Sequence, residues 1–429
     1  MFMVLYSLLL AIGLVVSAPW WLWRMATSGR YREGLLERLG FVPAALRAAV
    51  AGKKTVWVHA VSVGEVLAAE RLISELKASL GNGWVVAVST TTATGQKIAR
   101  ERLVGSPVFF YPLDFAFAVR GWLRVLRPSL FVLVESEFWP RMLVECERRG
   151  VPIAVVNARV SDRSFPRYMR LRRLWKPLLG KVSIFLAQGE ESAERLRAIG
   201  APVERVRVSG NLKYDLKAVQ PNAIALRIKE LFSGRKIVVA GSTVANEEQS
   251  IFTAWAEVLA SEPEAALVLA PRHPQRFREV EELHWKEAFQ FQFMTATSDE
   301  FRIDWPVEGG CVILLDTIGD LAAVYELASV AFVGGSLVAK GGHNPLEAAR
   351  FGVPVVMGSS YENFREIVEG MQTMTAIRIV EPNELATGLV NAMQDDGGMG
   401  ARGRQFFDRQ SGATRKTVEA LVDLIGGRV

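Results

Sequence analysis

The 429-residue chain is poor in the residues that build covalent or metal-held scaffolds. It has two cysteines, Cys146 and Cys311, far apart and outside any CxxC pair. A disulfide framework and a thiolate-rich zinc site are therefore not expected, and a reduced, cytosolic catalytic body is. Its four histidines, His59, His273, His284 and His343, form neither HExxH nor another close metal-binding pair, so no metal site is expected. Walker A and a GxGxxG turn after the first strand are both missing. There is also no nucleic-acid reader motif or basic–aromatic ribbon, although the formal charge is +6. A basic balance suits anionic membranes and phosphorylated or carboxylated substrates equally well. Half the residues are hydrophobic and 22% are charged, which is a folding composition. The length exceeds what one core normally serves, so two domains are expected.

The first 23 residues, MFMVLYSLLLAIGLVVSAPWWLW, carry no charged side chain. A helix of about 22 residues is about 33 Å long, enough for a hydrocarbon core of about 30 Å. Pro19 and Trp20, Trp21 and Trp23 mark its expected interfacial end, and Arg24, Arg30, Arg32 and Arg38 follow. The positive-inside tendency places that end in the cytoplasm. A basic start and a convincing cleavage site, which a signal peptide would need, are both missing.

Beyond this helix, apolar strand patterns alternate with amphipathic ones. TVWVHAV precedes GEVLAAERLISELKAS, and WVVAVSTTT precedes TGQKIARERL. VFFYP, LFVLVESE, IAVVNAR and IFLAQ continue the series. After a polar stretch near 215–232 the pattern restarts with KIVVAGST, AALVLAPRH, GCVILLD, VAFVGGS and VPVVMG. Apolar strands separated by helices predict parallel sheets covered on both faces. The expected division is an anchor at 1–24, one Rossmann-like domain at 25–215 and a second at 216–429. The last helix, from Ala413, either completes the second domain or packs back on the first. Ligands of such sheets bind beyond the carboxyl ends of the strands.

The unusual loops fall at those ends. Ser62, Gly64 and Glu65 follow the first strand, as a capping sequence or an anion-holding helix start. Glu135 and Glu137 sit at alternate positions, facing the same way if the strand persists. They suit either sugar hydroxyls or an arginine network. Lys213 is a candidate phosphate or carboxylate contact. Ser242 and Thr243 close the first strand of the second half and are placed to cap a helix bearing Glu247 and Glu248. Pro271, Arg272 and His273 form a fixed loop with a cationic fork. Gly334, Gly335 and Ser336 precede Lys340, Gly341, Gly342, His343, Asn344, Pro345 and Glu347. There Asn344 is the expected cap, and the glycines permit close backbone approach to a ligand.

Read in order, YREGLLERLG, HAVSVGE, STTTATG, YPLDF, VESEFWP, NARVSDRS, GNLKYD, PRHP, GGSLVAKGGHNPLEAA and YENF resemble the Kdo (3-deoxy-D-manno-octulosonic acid) transferase family of lipopolysaccharide biosynthesis. The resemblance covers nearly the whole chain. It implies a GT-B fold, with two Rossmann-like domains facing across a cleft. It implies an inverting enzyme with CMP-Kdo as donor and a phosphorylated lipid A precursor (lipid IVA) as acceptor. No further cofactor and no nucleic acid are implied. The enzyme would work at the inner membrane, with its catalytic domains on the cytoplasmic face.

The family's catalytic carboxylate lies in a short ERxG segment, here Glu37-Arg38-Leu39-Gly40, so Glu37 is the expected general base and Glu33, one turn away, its rival. Ser62, Gly64, Glu65, Glu135 and Glu137 fall on the acceptor side. The donor side takes Lys213, Ser242, Thr243, Pro271, Arg272, His273, Gly334, Gly335, Ser336, Gly341, Gly342, His343, Asn344 and Glu347. Arg30, Arg32 and Arg38, or the pair Arg172 and Arg173, are candidates for the acceptor's phosphates. The competing readings are a GT-B enzyme with a UDP-sugar donor and a non-catalytic membrane-associated scaffold.

Overall fold

The computed structural model describes residues 2–28, 32–216, 219–220, 222–286, 291–298, 301, 309–396 and 398–427; Arg30 lies outside them. The chain divides into two compact units. The first comprises Met1–Asp215 with Gly412–Val429, and the second Leu216–Ser411.

The first unit holds seven parallel strands among the described residues. They are β1 (Lys54–His59), β2 (Trp84–Thr90), β3 (Val108–Phe110), β4 (Leu130–Val134), β5 (Ile153–Ala158), β6 (Ile184–Ala187) and β7 (Val206–Val208). Their order is β3-β2-β1-β4-β5-β6-β7, so the winding reverses between β1 and β4. β4 is buried at all five residues because helices cover both faces of the sheet. On one face Trp57 packs edge-on to Phe131 at 5.1 Å, and Phe109 stacks on Trp122 at 4.0 Å. On the other, Leu72, Ile73 and Leu76 of the Val63–Leu80 helix meet Val418 and Leu421 of the Ala413–Gly426 helix. The carboxylate of Asp215 caps that last helix, accepting from the amides of Gly412 (3.1 Å) and Thr414 (2.7 Å).

The second unit repeats the plan with β8 (Ile237–Thr243), β9 (Ala266–Pro271), β10 (Phe293–Thr295), β11 (Val312–Leu314), β12 (Val330–Val333), β13 (Val355–Gly358) and β14 (Ile377–Val380). The order is β10-β11-β9-β8-β12-β13-β14, all parallel, with its reversal between β8 and β12. Trp255, Phe252 and Val258 of the Glu248–Ser261 helix fill one face.

The first helix runs Phe2–Ser28, straight through Pro19, which therefore does not end it. Its stretch Met3–Thr27 is long and apolar enough to cross a membrane. Its first turns are fastened to the first unit. The Tyr6 hydroxyl donates to Asp114 (2.8 Å), and Arg141 donates to the Ser7 hydroxyl (2.8 Å) and the Met3 carbonyl (3.2 Å). Leu8, Leu9, Val15, Val16, Trp20 and Trp23 face outward.

Candidate active site

In the first unit, the predicted loops gather at the carboxyl edge of the sheet. Glu37 reaches it from the four-residue helix Leu35–Arg38. Its Oε2 accepts the Phe110 amide at 2.7 Å, and its carbonyl accepts the Trp122 indole N–H at 2.7 Å. Among the described residues, Oε1 accepts no hydrogen bond. Gly40 makes this seating possible: it has φ +95°, and a Cβ there would stand 2.7 Å from the Ala118 Cα. The Arg38 guanidinium lies over the Phe110 ring at 4.5 Å and donates to the Thr91 carbonyl. Glu33 is exposed and pairs with Arg100 at 3.1 Å.

Ser62 occupies the N-cap position of the Val63–Leu80 helix, but its side chain makes no cap hydrogen bond. It donates instead to Glu65 Oε1 (3.0 Å), while Oε2 accepts the Val61 amide (2.7 Å). The carboxylate of Glu65, not the hydroxyl, thus secures the helix start, and Gly64 lies in the first turn. The expected alternation of Glu135 and Glu137 does not occur. β4 ends at Val134, and Glu135 enters the left-handed region at φ +62°. The charges of both carboxylates nevertheless reach Glu65. Burial first, then their charges, push Glu65 up to about 7. Burial and Glu135 likewise raise Glu137. Lys213 stands in this unit, 3.5 Å from Glu135, on a turn held by Asn157 Oδ1 at the Leu212 amide (3.0 Å) and Asn211 Oδ1 at the Lys213 amide (3.0 Å). His59 is fully buried, stacks on Tyr111 at 3.9 Å and is held neutral by burial, near 3.

Glu65 gives a pH signature. Its pKa is raised from 4.5, so folding takes up a proton and stability falls as pH rises from about 4.5 to about 7. Glu65→Gln should remove that fall, amounting to up to about 3 kcal/mol. Denaturant unfolding in detergent at pH 5 and pH 8 measures it. An equal slope in wild type and variant would contradict the assignment.

In the second unit, the loops after β8, β9, β12 and β13 converge. Ser242 lies at φ +58° inside β8 and, with Thr243, does not cap the next helix. Glu247 is that helix's N-cap residue, and the Thr243 hydroxyl donates to Glu248 (3.1 Å). Pro271 ends β9, and the Arg272 amide donates to the Thr243 carbonyl (2.9 Å). Arg272 and His273 are exposed. Among the described residues, the Arg272 side chain has no carboxylate partner within 4.0 Å.

The Gly334–Gly335–Ser336 amides differ from expectation. Glu247 takes those of Gly335 and Ser336, so they are not open to a ligand. Gly341 sits against Asn363 of the YENF segment, and its amide donates to the Ser360 hydroxyl (2.9 Å). Pro345, not Asn344, is the N-cap residue of the Leu346–Ala349 helix, and the Asn344 Oδ1 accepts the Leu346 amide from one position earlier (3.1 Å). Burial lowers the pKa of His343, and the charges of Arg272 and His273 lower it further. Burial raises Glu347, opposed by Arg272 and Arg350. Arg272, His273, His343 and Glu347 therefore share one electrostatic site. Beside it, Asn222, Asp320, Glu347 and Arg350 line a cavity of about 530 Å³. Asp320 was not singled out from the sequence; its signal is the polar TIGD run after β11.

Among the described residues, no group of three or more His, Cys, Asp or Glu side chains is placed to hold a metal. Arg172 is exposed beside Arg173 on the Arg172–Leu179 helix of the first unit.

Residues 33–216 match the family described as 3-Deoxy-D-manno-octulosonic-acid transferase (kdotransferase). The 3-deoxy-D-manno-octulosonic acid transferase of Haemophilus influenzae is 33% identical over 408 residues, 92% of each chain. That of Bordetella pertussis is 31% identical over 423 residues, 95% of this chain and 96% of its own. The solved structure of UDP-GlcNAc 2-epimerase from Neisseria meningitidis bound to UDP-GlcNAc has TM-score 0.51 at 14% identity. It covers 86% of this chain and 100% of that one, a likeness of fold alone. With its two Rossmann-like units, its N-terminal apolar helix and these full-length relatives, the chain belongs to the Kdo transferase family and has the GT-B fold.

Proposed function

We propose that the chain transfers Kdo from CMP-Kdo to a hydroxyl of a phosphorylated lipid A precursor, lipid IVA, with inversion. The observation that carries this reading is Glu37. The Phe110 amide fixes one of its oxygens while the other accepts nothing among the described residues. It lies in the segment that matches the family, and attack by a hydroxyl needs a general base. Glu37 takes the acceptor hydroxyl's proton as that oxygen bonds to the anomeric carbon of Kdo. The bond from that carbon to the CMP phosphate oxygen breaks, and CMP leaves with the electron pair. Arg272 and His343 offset the charge on the leaving phosphate, as fixed cationic and polar groups do elsewhere. Glu347 receives sugar or ribose hydroxyls, and Glu65, Glu135 and Glu137 orient the acceptor.

The competing UDP-sugar reading is tested by binding. CMP should bind the detergent-solubilised chain and compete with the donor, and UDP should not. Tight UDP binding without CMP binding would reverse the assignment.

The membrane is engaged from one side in this reading. Tyr6, near the start of the apolar stretch, bonds Asp114, and the Arg38 carbonyl accepts the adjacent Leu113 amide after its end (2.8 Å). A full crossing would put residues 6 and 38 on opposite sides of a core about 30 Å thick. Cys146 and Cys311 are buried, so single cysteines replacing Val4 or Arg32 can be labelled selectively. Both should react with an impermeant maleimide from the cytoplasmic face. Reaction of position 4 from the opposite face alone would establish a span.

A further inference from the structure

Glu247 is completely buried at the start of the Glu248–Ser261 helix. Its carboxylate accepts four backbone amides. Oε2 takes those of Val244 (3.0 Å) and Gly335 (2.7 Å), and Oε1 those of Ser336 and Leu337 (2.8 Å each). Successive amides turned inward in this way form an anion-binding nest. Here the protein's own carboxylate fills it. This clamp joins the loops after β8 and β12, the pair at which the winding reverses.

The other edge of the clamped segment carries the candidate donor loop. The Gly335 carbonyl accepts the Gly342 amide (2.8 Å), and the Gly334 carbonyl accepts the His343 amide (3.1 Å). The Ser336 carbonyl accepts the Ser360 amide (3.0 Å), and the Ser360 hydroxyl accepts the Gly341 amide (2.9 Å). Gly335 has φ +69°, and a Cβ there would lie 2.9 Å from the His343 ring. Peptide planes pinned by Glu247 on one side therefore set Gly341, Gly342 and His343 on the other.

We propose that Glu247 is a positioning residue for donor binding: an internal anion that fixes Gly334–Leu337 and, through those carbonyls, places His343 and the loop leading to Glu347. It touches no ligand. The inference rests on the reading of this edge as the CMP-Kdo site. A purely structural cap would stabilise the unit and leave nucleotide affinity alone.

The test uses the full chain in detergent. Glu247→Ala leaves four unmet amides around a space shaped for a carboxylate, which added formate can refill. CMP affinity by calorimetry and thermal stability are measured with sodium formate and with sodium chloride at equal ionic strength. Hydrogen bonds to a charged group are worth enough that CMP Kd should rise about tenfold or more. Formate should restore it, and chloride should not. The donor KM should rise while the acceptor KM stays unchanged.

CMP affinity equal to wild type in folded E247A would overturn the proposal. So would formate rescue of stability without rescue of affinity. If E247A does not fold, E247Q keeps the side-chain volume but turns a donor toward donors; it should show the same loss, and intact binding would overturn the proposal. If wild type itself fails to bind CMP, the donor reading falls separately. The link from Glu247 to the loop is then read from the His343 ring signals by NMR, which E247A or E247Q should shift and which unchanged spectra would refute.

Discussion

Glu37→Gln should lower kcat by about 10² to 10⁴-fold, the usual contribution of a general base, while leaving CMP affinity and folding unchanged. Glutamine is close to isosteric and its oxygen can still accept the Phe110 amide at the same place. What it loses is the ability to take a proton. The carboxylate is well anchored: the Trp122 indole holds the residue's carbonyl, and Gly34 (φ +71°) and Gly40 (φ +95°) seat the segment closely on Phe110 and Ala118. Glu33 provides the control. It is exposed and paired with Arg100, so Glu33→Gln should change kcat by less than about twofold, as surface ion pairs contribute little. Single-turnover kinetics on both variants measures the difference. Full activity in E37Q with loss in E33Q would transfer the role to Glu33.

Arg272→Ala should reduce kcat/KM for the donor by about 10²-fold or more, with the acceptor KM unaffected. Arg272 follows β9 directly, and its amide is tied to the Thr243 carbonyl (2.9 Å), so its base is fixed while its guanidinium has no carboxylate partner among the described residues. Its charge depresses the His343 pKa and opposes the rise at Glu347, which places it beside both. A planar fork matches a phosphate better than a point charge does, so Arg272→Lys should recover only part of the loss. Steady-state kinetics with donor and acceptor varied separately gives the answer. An equal fall for donor and acceptor would move Arg272 out of the donor site.

The central strands were legible because they are buried on both faces and read as unbroken apolar runs. β7, β10 and β14 were not. Each has three or four residues at or near a sheet edge, and VRV and IRIV are broken by arginine. The loops do lie at the carboxyl ends of the strands, but not always with the expected local bonds. Period-two reasoning failed at Glu135 because the chain turns left-handed there, which residue type alone does not reveal. The glycines of Gly334–Ser336 suggest close backbone approach to a ligand, yet the Gly335 and Ser336 amides are taken by Glu247, 88 positions from Gly335. Ser62 and Thr243 were read as caps, whereas neighbouring carboxylates take their hydroxyls. Pro19 is expected with the tryptophans at the interfacial end of the apolar run, and the helix itself continues through it to Ser28, at the cost of one hydrogen bond.

The most direct measurement is mass spectrometry of lipid IVA incubated with the full-length chain and CMP-Kdo generated in the reaction. The account predicts product heavier by one or more Kdo units, released CMP, and no such product with Glu37→Gln on the same timescale. Unchanged lipid IVA, with folded protein and intact donor demonstrated, would contradict it.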